Sequence, residues 1–192
     1  FGGFGRGVSQ MPDAFERLSD SDTFEMAGQN WEVITGNGHS PEHSCLYCPE
    51  LNVLISGDQL LPRISSNVSV HPTEPNADPL LDWMTSCEKL LERLPDDVLV
   101  LPAHNEPFRG AHQRLRHLID GHETALSRLN GRLQKGPMTV MDTFTTLFGR
   151  AIKPDEVGMA TGEAIAHLNC MIHRGEVTST IDEEGIAHCQ LV

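Results

Sequence analysis

"GNGHSPEHSCLYCPELNVLISGDQLLP", Gly36 to Pro62, sets two histidines around a proline and follows them with two short apolar runs. The second run ends on Ser56-Gly57-Asp58. "HSCLYC" and "NVLISG" are short and partly β-branched, as buried strands are. Pro49-Glu50-Leu51 between them marks a hairpin turn. A lone carboxylate just past a buried strand, with imidazoles on the loop before it, is a donor set that zinc and similar divalent ions accept. Gly38 beside His39 and Gly57 beside Asp58 let the backbone turn sharply where those side chains leave it.

The pattern extends in both directions. Upstream, "TFEMAGQNWEVITG" reads as a further hairpin around Ala27-Gly28-Gln29-Asn30. "FGGFGRG" at the start reads as a loop, and Met11 to Leu18 as a short helix. Downstream, "ADPLLDWMTSCEKLLERLP" is a helix, with Asp78 as its cap and Pro79 in the first turn. "VLVLP" follows as a buried strand and leads into "AHNEPFRG", which delivers His104. His39, Asp58 and His104 thus each follow a strand, where α/β folds place their chemistry.

From Ala111 the texture changes. Leu115, Leu118, Ile119, His122, Leu126, Leu129 and Leu133 make one stripe of a long helix that breaks at Gly136-Pro137. "TVMDTFTTLFG", capped by Thr139, and "GMATGEAIAHLNCMIHRG" are further helices. "EVTSTIDEEGIAHCQLV" is a hairpin about Glu184-Gly185. Helix, helix, helix, hairpin is the order of a winged-helix-like module. The boundary is placed near Gly110, giving domains 1–110 and 111–192.

Composition narrows the function classes. The 192 residues carry a formal charge of −13. Residues 1–110 hold 6 Lys+Arg against 17 Asp+Glu, and residues 111–192 hold 8 against 10. Neither half is a basic footprint for nucleic acid. No apolar run approaches the ~20 residues of a membrane span, and no signal peptide is visible. Five widely spread cysteines suggest reduced thiols in the cytoplasm rather than a disulfide frame. A start at Phe1 rather than Met fits a fragment or a processed product.

"GHSPEH", "SGD" and "PAHNEP", in that order and spacing, resemble the third, fourth and fifth motifs of the metallo-beta-lactamase-fold hydrolases. The resemblance is to the glyoxalase II-like branch and to beta-lactamase-like proteins with a C-terminal winged helix. It covers most of residues 20–110 and, more loosely, the tail. It implies an α/β fold: the C-terminal part of an αββα sandwich, followed by the helical module. It implies two divalent ions, zinc first, with iron or manganese as alternatives. His39 then matches a ligand of the first metal, Asp58 the catalytic carboxylate bridging both, and His104 a ligand of the second. The implied reaction is attack by a metal-bound hydroxide on an ester, thioester, amide or phosphodiester, with a thioester or ester favoured. The family's opening HxHxDH motif is absent, so the chain reads as the C-terminal part of such an enzyme, each metal about two ligands short of the usual three or four. The strands want cover on both faces, and much of one cover would come from the missing half. Alone, the chain is expected to be inactive, to bind metal weakly if at all, and to be marginal, to self-associate or to pair with a separate copy of the missing half.

Other polar residues have plainer readings. Pro41 disfavours a helical His-x3-His zinc pair at His39 and His43, and a structural role suits His43. Cys45 and Cys48, three apart on a strand, face opposite sides and read as packing residues. Arg63 and His71 are surface-loop residues first and pocket residues second. Glu106 is a candidate to orient His104. His112, His117 and His122 read as solvated. The expected partner is a small-molecule substrate, with no nucleic acid and no membrane, and a homo-oligomer is left open. Two alternatives stand beside the hydrolase: a nuclease of the same fold, and a metal-free interaction module.

Overall fold

A computed structural model describes residues 13–192. Strands β1 (Thr23–Met26), β2 (Gln29–Gly36), β3 (His43–Cys48) and β4 (Val53–Gly57) come first, followed by helix α1 (Pro79–Arg93) and strand β5 (Leu99–Pro102). Helices α2 (Ala111–Leu133), α3 (Val140–Phe148) and α4 (Val157–His173) follow, then strands β6 (Val177–Ile181) and β7 (Ala187–Leu191).

Strands β1 to β5 form one sheet in sequence order. The first three pairings are antiparallel and β4–β5 is parallel. Ala27 and Gly28, both at positive φ, make the two-residue turn whose twist suits a β1–β2 hairpin. Asp78 caps α1 by accepting a hydrogen bond from the Leu81 N–H, and Pro79 occupies its first turn. Because α1 carries the chain back to start a parallel strand, Gly57 and Pro102 pair at the same edge of the sheet. The loops bearing Asp58 and His104 therefore leave side by side, and the Ala103 N–H donates to the Gly57 carbonyl at 3.0 Å.

The core lies on the α1 side of the sheet. Ile34, Cys45, Leu54 and Val100 pack with Leu80, Trp83 and Leu90 of α1. The same apolar cluster runs on through Leu115 and Leu129 of α2 to Met171, Val177 and Cys189. On the other face, Val33, Leu46, Ile55 and Leu101 align across four strands. Of these only Val33 is fully buried.

Helix α3 has a full capping box between Thr139 and Asp142 and ends at Gly149 in the left-handed region. The helices are seated on the sheet domain by polar contacts as well. Arg114 donates to the carbonyls of Leu61 and Ile64, and Asn169 to those of Pro75 and Ala77. The expected helix over Met11–Leu18 does not form across residues 13–18, and Met11 lies outside the described residues. Phe15 is 88% exposed, so no apolar face is buried to hold so short a helix. The loop expected at Phe1 to Gly7 also lies outside the described residues.

Candidate metal centre

Asp58 owes its position to a backbone that only glycine adopts easily. Gly57 has φ +53°, and a Cβ there would stand 2.5 Å from Cε1 of His43. His43 packs into that space, and its Nε2 accepts the Asp58 N–H at 3.2 Å. It acts as a prop under the turn. Burial lowers its basicity, nearby His39 lowers it further, and Asp58 opposes both. The Ser66 hydroxyl donates to the Asp58 carbonyl, and the Ser56 hydroxyl to that of Leu60 at 2.8 Å. Among the described residues no backbone group is bonded to the carboxylate itself.

One histidine faces each oxygen of that carboxylate. His39 Nε2 stands 3.6 Å from Oδ2, and His104 Nε2 stands 3.3 Å from Oδ1. His104 follows β5 on an open loop and is 63% exposed, while His39 and Asp58 are half-buried. His39 Nδ1 lies 2.8 Å from the Asn67 carbonyl. A carbonyl can only accept, so Nδ1 carries a hydrogen, and in its neutral form His39 turns a bare lone pair from Nε2 toward Asp58. Two acceptors held face to face are suited by a cation between them. Ligand atoms at ~2.1 Å from a tetrahedral ion lie roughly 3.4 Å apart, and the two separations bracket that distance. Each position has two donors. Among the described residues, no group of three or more His, Cys, Asp or Glu side chains is arranged to hold one ion.

The neighbouring residues fall elsewhere. Glu106 pairs with Arg63 on the surface instead of orienting His104. His71 is exposed, and with His39, Pro41 and Asp82 it lines a cleft of about 240 Å³. Cys45 and Cys48 are both buried, and all five cysteines are free. Burial first, and Cys87 second, push the Cys45 thiol up to about 12, so it is inert. His117 is exposed, but His122 is not solvated: it is buried against His167 of α4. A helical stripe of mixed character gave no sign of that partner, 45 residues away. Asn67 was missed as well, because a backbone carbonyl that orients a ligand has no signature in sequence.

A family model described as "Metallo-beta-lactamase superfamily" matches residues 5–104, and one described as "Metallo-beta-lactamase-like, C-terminal domain" matches residues 126–190. A beta-lactamase domain protein from Burkholderia ambifaria is 36% identical, with a TM-score of 0.91 over 95% of this chain and 54% of its own. A metallo-beta-lactamase family protein from Thermus thermophilus is 27% identical, with a TM-score of 0.78 over 92% of this chain and 55% of its own. The atrochrysone carboxyl ACP thioesterase of Aspergillus fumigatus is 27% identical over 146 residues, covering 69% of this chain and 32% of that protein. The chain thus spans about half the length of the two structures and about a third of the thioesterase.

Proposed function

The chain belongs to the metallo-beta-lactamase superfamily, and we propose that it carries the carboxylate-centred part of a two-metal site that hydrolyses a thioester or ester. The observation that supports this best is the Asp58 carboxylate, with a histidine nitrogen facing each of its oxygens. Asp58 would bridge the two ions, His39 would hold one and His104 the other. Zinc suits imidazole and carboxylate donors, and iron or manganese would also be accepted. When bound, such a pair supplies Lewis acidity toward a carbonyl and a nucleophile drawn from water at neutral pH.

The residues of the chain prepare the site for that chemistry. Asn67 fixes the His39 tautomer, and His43 holds the Asp58 turn. The half-exposed carboxylate leaves room for a substrate to approach. With two donors per ion, further ligands would come from outside these residues, as the relatives' greater length allows. The likeness to a thioesterase tilts the substrate toward a thioester. The substrate is a small molecule rather than nucleic acid, since residues 111–192 hold 8 basic against 10 acidic side chains. The module of α2 to β7 is read as winged-helix-like and as a wall of the substrate mouth. Among the described residues no helix is long and apolar enough to cross a membrane. Free, buried cysteines suit the cytoplasm.

A second reading is a metal-free interaction module, favoured by the lack of a three-donor cluster among the described residues. Metal analysis separates the two. In the protein as encoded in full, Asp58→Ala should lower bound zinc more than His39→Ala or His104→Ala, since it would touch both ions. Each change should cut thioester hydrolysis at least ~100-fold, as losing a metal function does, with the fold intact. Unchanged zinc content in Asp58→Ala would end the bridging role. Absence of zinc from the wild type would favour the interaction module.

A further inference from the structure

We propose that Glu163, on α4, is a positioning residue for the metal centre, acting through Asn67 on His39. The inference rests on the metal reading above and adds a contributor from the helical module. The hydrogen bonds form a directed chain. The Ser69 hydroxyl donates to Asn67 Oδ1 at 2.6 Å, and the NH2 is the other end of that amide. That NH2 donates to Glu163 Oε2 at 3.2 Å. The backbone carbonyl of the same Asn67 accepts His39 Nδ1–H at 2.8 Å. One residue therefore joins a glutamate 124 positions after His39 to the ring of His39.

The stretch from Asn67 to Val70 lies in no helix or strand of its own. It is held instead by α4. The Val70 N–H donates to the Gly162 carbonyl at 3.0 Å. Gly162 meets Ser69 so closely that a Cβ there would lie 2.8 Å from both Cβ and Oγ of Ser69. Glu163 adds a side-chain bond from α4 to the Asn67 amide. Burial pushes the Glu163 carboxyl up, and the Asn67 amide pulls it back. A half-buried side chain bonded to the Asn67 amide in the contact between α4 and the loop is well placed to act on the loop. If the Asn67 carbonyl rotates away, His39 loses the partner that leaves the Nε2 lone pair facing Asp58.

Nitrogen NMR of the His39 imidazole in the metal-free protein as encoded in full tests this, together with zinc titration of that protein against a competing chelator. Wild type should show one tautomer, with hydrogen on Nδ1. In Glu163→Ala that pattern should give way to a mixture, and zinc should bind about tenfold more weakly, as when a ligating histidine loses its outer partner. Glu163→Gln keeps an acceptor oxygen and should restore both readings. Asn67→Ala should reproduce the Glu163→Ala change, and the double variant should be no worse, since both break one link. Asn169→Ala cuts a different α4 contact and should leave His39 as it is. A single Nδ1–H tautomer retained in Glu163→Ala would overturn the inference. So would an equal loss in Asn169→Ala, which would reduce the effect to general docking of α4. Should wild type take up no zinc, the two-metal reading falls, and the coupling is decided by the imidazole pattern alone.

Discussion

The rings of His39 and His43 stand 6.2 Å apart and those of His122 and His167 stand 5.4 Å apart. The two pairs are nonetheless put to opposite uses. In the first, His43 is fastened under the Asp58 turn and His39 faces a half-exposed carboxylate. In the second, both rings are buried. His167 Nδ1 lies 2.8 Å from the Glu163 carbonyl, so it carries the hydrogen and Nε2 accepts. His122 Nδ1, 3.4 Å away, must then donate. The polarity of this chain is set by a backbone carbonyl, and among the described residues no ion pair joins either ring to a carboxylate. Two nearby imidazoles are therefore not a site in themselves. What distinguishes the first pair is an anion opposite a lone pair and access from outside.

The largest difference should appear in acid. Burial, and His167 after it, lower His122 to about 4 from an ordinary 6.5. In the unfolded chain it takes up its proton near 6.5. Between those values the unfolded chain binds more protons, so stability is full above about pH 6.5 and falls as pH drops toward 4. The integrated effect is roughly 3 kcal/mol. Denaturant melts from pH 7.5 to 4 should show this slope in wild type and a flatter one in His122→Phe. Saturating zinc should stabilise both proteins alike, because its proposed site is at His39, Asp58 and His104. An unchanged slope in His122→Phe would show that the helical pair is not what acid attacks.

The same contrast explains how much could be read beforehand. The sheet strands, α1 and the three later helices follow from alternation, caps and apolar stripes that act within a few residues. Asp58 and His104 could be paired because both follow buried strands, and a parallel β4–β5 ladder brings such ends together. His122 was misjudged, because its place in the stripe gives its direction but not what lies opposite. Asn67 and Glu163 were out of reach for the same reason. Their roles exist only once α4 has docked on a loop nearly a hundred residues earlier in the chain.

Two glycines sharpen the comparison on a smaller scale. Gly57 stands beside the first pair at φ +53°, where a Cβ would collide with the His43 ring. Gly57→Ala should cost about 2 kcal/mol from backbone strain and should weaken zinc by tilting Asp58. Gly121 precedes the second pair within α2, with nothing near its Cβ position. Gly121→Ala should be neutral or stabilise by up to ~1 kcal/mol, as alanine does within a helix. Thermal melts of both variants measure this. A tolerated Gly57→Ala would mean that the turn beneath Asp58 is looser than its contacts with His43 imply.

The smallest effect is expected at the glutamates near each pair. Glu123, next to His122, is gripped by both terminal nitrogens of Arg174, at 3.0 and 2.7 Å. Glu106, two residues past His104, accepts instead from Nε of Arg63 at 2.8 Å and from one of its terminal nitrogens. The Arg63 hydrogen bond holds the Glu106 carboxyl below its usual range, but both partners are largely exposed. Water screens such a pair, and ordering two long side chains offsets what attraction remains. The carboxylate is also turned to the guanidinium, so it does not set the orientation of His104. Glu106→Gln should therefore leave the melting temperature, the zinc affinity and the thioester rate of the full protein unchanged. A clear loss of zinc with the melt unmoved would show that Glu106 releases Arg63 and turns to His104 when metal binds. The exposed histidine would then have an outer partner, as His39 has in Asn67.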